Sequence, residues 1–156
     1  MGQIIHPVPV DYGDIDFSWM VGRVIIEVSL LEGGFWRFHF GPDSSIDTQC
    51  PWRILEHGRV AVSGEDHGQQ FGLPAPVDAV ARATLLIASV SITAVELRKG
   101  TADILIDFAG DRRLEIIPFS SGYEGWQVRD PFGVSFYAHG GGQISRWPAD
   151  GRERGR

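Results

Sequence analysis

Groups able to hold a metal or move a proton are scattered along this chain: five histidines, one cysteine, and carboxylates spread over its whole length. His67, in Gly64-Glu65-Asp66-His67-Gly68, and His139, in Ala138-His139-Gly140-Gly141-Gly142, fall in turn-like stretches at roughly equivalent places of the two halves. Brought together with Asp66 or Glu65, they would give a mixed nitrogen and oxygen donor set of the kind zinc accepts. No H-x-H, H-E-x-x-H or C-x-x-C spacing enforces that geometry, and turn-borne Asp and His are usually solvated, so neither a metal nor a cofactor is expected. Cys50 precedes Pro51 at a corner with no base fixed beside it, and reads as a small buried apolar side chain rather than a nucleophile; G-x-S-x-G is absent. Gly140-Gly141-Gly142 leads into a strand-like run without the lysine or the helix of a phosphate loop, which makes it a hairpin turn or bulge. Asp103 and Asp107 share strand parity and, with Asp47, would line one solvated face; acid–base chemistry would require a cleft that separates their pKa values.

The stretch Ser121-Gly122-Tyr123-Glu124-Gly125-Trp126 places one carboxylate between two glycines and two large aromatics. Glycine supplies the positive φ that tight turns need, and a tryptophan returning to the core contributes a large apolar area. The stretch therefore reads as a structural turn before it reads as a site, and Tyr123 and Glu124 are the part that the repeat does not explain. With His67 and His139 they are the candidate binding residues, and no residue is assigned a catalytic role.

These residues must be held by strands. Runs rich in Val, Ile, Phe and Trp, bounded by Gly, Pro, Asp or Ser, predict strands over 22–31, 35–40, 45–49, 52–55 and 59–63, then over 92–98, 102–108, 113–118, 126–129, 133–138 and 143–147. Between the two sets, Val77–Leu86 spaces Val77, Val80, Ala81 and Leu85 at near-helical intervals after Pro74 and Pro76, with Asp78 expected in the first turn. The halves form a weak internal repeat. Phe38-His39-Phe40 lies on Ile106-Asp107-Phe108, Ile46-Asp47 on Leu114-Glu115 and, after a short insertion, Trp52-Arg53-Ile54 on Trp126-Gln127-Val128. The expected fold is mainly β: two related antiparallel strand modules, a pseudo-duplicated sandwich or barrel-like arrangement, joined by one helix. Residues 1–18 read as an N-terminal extension, 19–147 as a single β-rich domain with repeat halves at about 19–73 and 88–147, and 148–156 as a flexible tail.

Composition narrows the function classes. A chain of 156 residues with 17 aromatics (Phe 9, Trp 5, Tyr 3) is long enough to bury a core without cross-links, and its single cysteine excludes an internal disulfide framework. A soluble, cytoplasmic protein is expected, since no stretch reads as a signal peptide or as a run of about 18 apolar residues able to span a bilayer. A net charge of −6 argues against nucleic acid as a partner.

The opening at Gly22, the strands Asp103-Ile104-Leu105-Ile106-Asp107-Phe108 and Leu114-Glu115-Ile116-Ile117-Pro118, the Tyr123-Glu124-Gly125-Trp126 corner and the terminal Gly140-Gly141-Gly142-Gln143-Ile144-Ser145-Arg146-Trp147 resemble a family of small bacterial proteins of unknown function. The resemblance covers roughly Trp19 to Trp147. Its motifs are turn and aromatic markers, so it implies a strand-rich fold and almost nothing about biochemistry; families of this size and composition often look like immunity or accessory partners. The expectation is therefore a non-enzymatic protein-binding module, immunity-like or accessory, with a protein as partner and no membrane. The alternative is a small-molecule-binding or hydrolytic protein with a corner pocket bearing Glu124, His67 and His139.

Overall fold

The computed structural model describes residues 6–123 and 125–148. Its strands, in chain order, are β1 (Val8–Pro9), β2 (Glu27–Leu30), β3 (Trp36–His39), β4 (Ser45–Thr48), β5 (Trp52–Glu56), β6 (Arg59–Ser63), β7 (Ile92–Leu97), β8 (Ile104–Phe108), β9 (Arg112–Ile116), β10 (Trp126–Arg129), β11 (Ser135–Ala138) and β12 (Ile144–Trp147). One α-helix, α1 (Ala79–Ile87), stands between β6 and β7. The strands form two antiparallel sheets, a seven-stranded one in the order β1-β12-β11-β10-β4-β3-β2 and a five-stranded one in the order β6-β5-β9-β8-β7. The fold is mainly β, with the helix linking two strand modules, as the turn-bounded apolar runs imply.

Each module starts as a three-stranded meander in one sheet and crosses to the other. β2-β3-β4 lie in the seven-stranded sheet and β5-β6 in the five-stranded one, whereas β7-β8-β9 lie in the five-stranded sheet and β10-β11 in the seven-stranded one. The pairing registers correspond. Phe38 faces Ile46 across β3 and β4, and Ile106 faces Leu114 across β8 and β9. Ile54 faces Val62 across β5 and β6, and Val128 faces Phe136 across β10 and β11. The joints between modules correspond too, because Ile46 pairs with Val128 and Leu114 with Ile54. All these residues are buried, and the inward side chains of both sheets belong to one continuous apolar core. A one-residue slip would turn each strand's apolar set outward, which is why the register is so well specified.

Two plugs complete the core. Helix α1 packs on β2 and β6 and buries Ala79, Ala83 and Ile87, spaced four apart on one face. Asp78 caps this helix instead of lying in its first turn: its backbone is extended, and its side chain accepts from Ala81 N at 3.0 Å. The second plug comes from the N-terminal side. Val8 and Pro9 pair with β12, Phe17 meets Trp126 and Phe136 edge to face, and the 3-10 turn at Ser18–Met20 sits against β7 with Met20 fully buried.

The acidic face expected from Asp47, Asp103 and Asp107 does not form. Asp47 is on β4 of the seven-stranded sheet, where Arg37 grips it through two hydrogen bonds of 2.7 Å. Asp107 lies in the other sheet against Arg113, and Asp103 is buried before β8 in an ion pair with Arg98. Crossing between sheets separates residues that strand parity alone would align. No helix among the described residues is long and apolar enough to cross a membrane.

Candidate functional site

The chain between β9 and β10 makes the corner that holds Tyr123. Proline at 118 stops the strand, and the Ser120 hydroxyl accepts from the backbone N–H of Gly122 and Tyr123 at 3.1 and 2.8 Å, which folds the loop back on itself. The triglycine turn after β11 supports it from below. Gly141 N donates to Ser120 O at 2.9 Å, and a Cβ on Gly140 would fall 2.5 Å from Tyr123 N. A Cβ on Gly142 would collide with the Gly100 carbonyl, while Gly142's own carbonyl accepts from Tyr12 Oη at 2.6 Å. All three glycines have positive φ, so the triplet is explained by backbone geometry and close packing rather than by phosphate binding.

Gly125 fixes the far side of the corner. Its N–H donates to Ala138 O at 2.9 Å, and its carbonyl accepts from Gln49 N and Thr48 Oγ1, both at 3.3 Å. From there Trp126 turns into the core and donates its indole N–H to Ala102 O at 2.8 Å. Trp52, its counterpart in the first module, is equally buried at 3% exposure, but its Nε1 has no partner among the described residues and lies against Gly64.

Tyr123 is 81% exposed and Phe119 77% exposed, so both rings stand in water above a groove of about 280 Å³ lined by Gln49, Cys50, Pro51, Pro118 and Ser120. A second groove of about 160 Å³ continues past Gln49 and Gly125 to Phe35 and Tyr137. Phe119 and Phe35 were not anticipated. Phe119 carries a sequence signal nonetheless, being an aromatic just beyond the proline that ends a strand, where no sheet partner can cover it.

The four candidate binding residues have different fates. Gly140, the residue after His139, packs against the backbone of Tyr123, and no contact joins the His139 and Tyr123 side chains among the described residues. The His139 ring tilts against Tyr137 at 6.4 Å, and its Nε2 is buried without a hydrogen-bond partner among the described residues. His67 is engaged elsewhere: its Nδ1 accepts from Ala79 N at 3.1 Å, helping to cap α1, and its ring meets Trp36 edge to face. Glu124 lies outside the described residues. Among the described residues no three His, Cys, Asp or Glu side chains gather as metal ligands would, and Asp66 is occupied in accepting from Ser63 N.

Cys50 sits under the corner but is not activated. Burial pushes its thiol above the usual cysteine range, with a hydrogen bond between Cys50 Sγ and Thr48 Oγ1 (2.9 Å) pulling partly back. A nucleophilic cysteine needs the opposite shift. A larger hollow of about 800 Å³, between the N-terminal segment and β12, carries Asp11, Tyr12 and Lys99, with the Tyr12 hydroxyl committed to Gly142 O.

The fold and corner define an antiparallel two-sheet β protein with an aromatic, solvent-facing end. Set against protein-family models, curated proteins and solved structures, the chain finds no match in any of the three. The resemblance noted above therefore rests on its motifs alone.

Proposed function

We propose that this protein is a non-enzymatic protein-binding module, immunity-like or accessory, and that Phe119 and Tyr123 at the corner between β9 and β10 form its contact surface. The observation that carries this reading is the pair of aromatic rings, Phe119 and Tyr123, held in water on backbone that is hydrogen-bonded on both sides. Large aromatics on a preorganised loop offer apolar area at low entropic cost, and such residues dominate binding hot spots. The corresponding registers of the two modules support an internal duplication in which the corner grew in one copy only, because the β9–β10 connection is longer than the β4–β5 connection.

The alternative of a small-molecule pocket at the corner has less support. Both corner grooves fall below the roughly 300 Å³ at which ligand pockets usually begin. A net charge of −6 favours a basic protein partner over nucleic acid, and a lone buried cysteine suits a soluble protein of a reducing compartment such as the cytoplasm.

The test is a calorimetric titration against the partner that co-purifies with the full chain. Tyr123→Ala and Phe119→Ala should each weaken binding about tenfold or more while leaving the melting temperature unchanged. Wild-type affinity in the double variant would reject the corner.

A further inference from the structure

Beyond the corner, the loop leading into α1 presents the most exposed large apolar side chain among the described residues. Phe71 is wholly exposed, at 102%, and Leu73 beside it is half exposed. The exposure is not slack. Gly68 N donates to Val77 O at 2.9 Å, Val77 N to Gln69 O at 2.8 Å, Leu73 N to Gln70 O at 2.8 Å and Gln69 N to Asp66 O at 3.0 Å, which closes the loop at its base. Pro74 and Pro76 fix φ on the descending side, and Gly72, with φ of +74°, turns the chain directly after Phe71. The helix that follows buries Ala79, Ala83 and Ile87 and leaves the loop's apolar residues uncovered.

Charge says what could cover them. Glu65, Asp66 and Asp78 flank the loop, and no Lys or Arg stands between Arg59 and Arg82. We propose that this loop is a plug, Phe71 with Leu73 at its side, that inserts into an apolar socket on another protein whose rim carries lysine or arginine. An anionic bilayer fits poorly, because attachment to it needs basic residues beside the apolar ones and here there are acids. A second copy fits poorly as well, since it brings the same acids and the same charge of −6. Closure of the loop by its own hydrogen bonds means that little conformational freedom is lost on docking.

The experiment replaces Phe71 with the photoreactive p-benzoylphenylalanine in the full chain. A control places the same group at Phe132, another exposed aromatic, and cells that make the protein are irradiated. The expected result is one dominant adduct with a different protein at position 71 only, mapped by mass spectrometry to an apolar site with Lys or Arg around it. In calorimetry of the purified pair, Phe71→Ser should weaken binding about thirtyfold or more, and wild-type affinity should fall as salt is raised. Phe71→Ser removes no packing, so its melting temperature should match wild type. An adduct with lipid or with a second copy, no adduct at all, or an affinity that Phe71→Ser leaves unchanged would each overturn the plug. Loss on Phe71→Ser with none on Tyr123→Ala upholds the plug and rejects the corner; the reverse rejects the plug and upholds the corner.

Discussion

Trp52 and Trp126 occupy matching places, opposite Ile116 and Thr48 respectively, and each truncation to Ala should cost about 3–5 kcal/mol through lost transfer energy and a cavity. Their phenylalanine variants should differ. Trp126→Phe strips Ala102 O of its donor and leaves a buried carbonyl unpaired, for about 1–3 kcal/mol beyond the change in packing, whereas Trp52→Phe removes a donor with no partner among the described residues. Urea denaturation of the two variants measures the gap, and equal losses would show that the indole hydrogen bond contributes nothing. Cys50 provides a pH test. Since burial raises its pKa in the folded state, the unfolded chain loses its thiol proton first as pH climbs. The stability it contributes is complete below the ordinary cysteine pKa of about 8.5 and declines above it. Labelling by iodoacetamide at neutral pH should be far slower than for the urea-unfolded chain, and equal rates would contradict the buried thiol.

At the scale of elements, α1 depends on its N-terminus. Nine residues is short for a helix, so the cap and the buried alanine face must carry it. Asp78 accepts from Ala81 N, and His67 accepts from Ala79 N across the preceding loop. Asp78→Ala should destabilise the protein by about 0.5–2 kcal/mol, with Asp78→Asn recovering most of it because the amide oxygen still accepts; thermal melts decide. A wild-type melt for Asp78→Ala would mean that packing alone holds the helix. The loop before the helix also carries the exposed Phe71, so the segment that leads α1 onto β2 and β6 presents a surface as well.

The whole molecule is two modules that cannot be separated. β4 needs β10 and β5 needs β9, so each module contributes a three-stranded meander to one sheet and completes the other sheet for its partner. Fragments cut after α1, residues 6–88 and 89–148, should each lack stable structure alone, because separation takes β10 from β4 and β9 from β5 and exposes the apolar faces that the two modules bury together. Far-UV circular dichroism of each fragment checks this, and a cooperative melt from either one would show the modules to be independent. Mixing the two should restore a spectrum dominated by strands.

Strand positions along the chain, the helix between the two sets and the paired tryptophans were legible in the sequence because period-two patterns, turn residues and a repeat offset are local or nearly local properties. Tertiary structure decided what depends on crossing between sheets. It moved Asp47 away from Asp107, tied His67 to the helix cap, and set Gly140 beneath Tyr123, although these segments are far apart or differently ordered along the chain. It also determined which aromatics remain outside. Composition counts Phe38, Phe71 and Phe119 alike, yet Phe38 is fully buried while the other two stand in water. The physical reason is that burial depends on which surfaces meet when the two sheets close on each other, and a pattern read along a single strand does not contain that information.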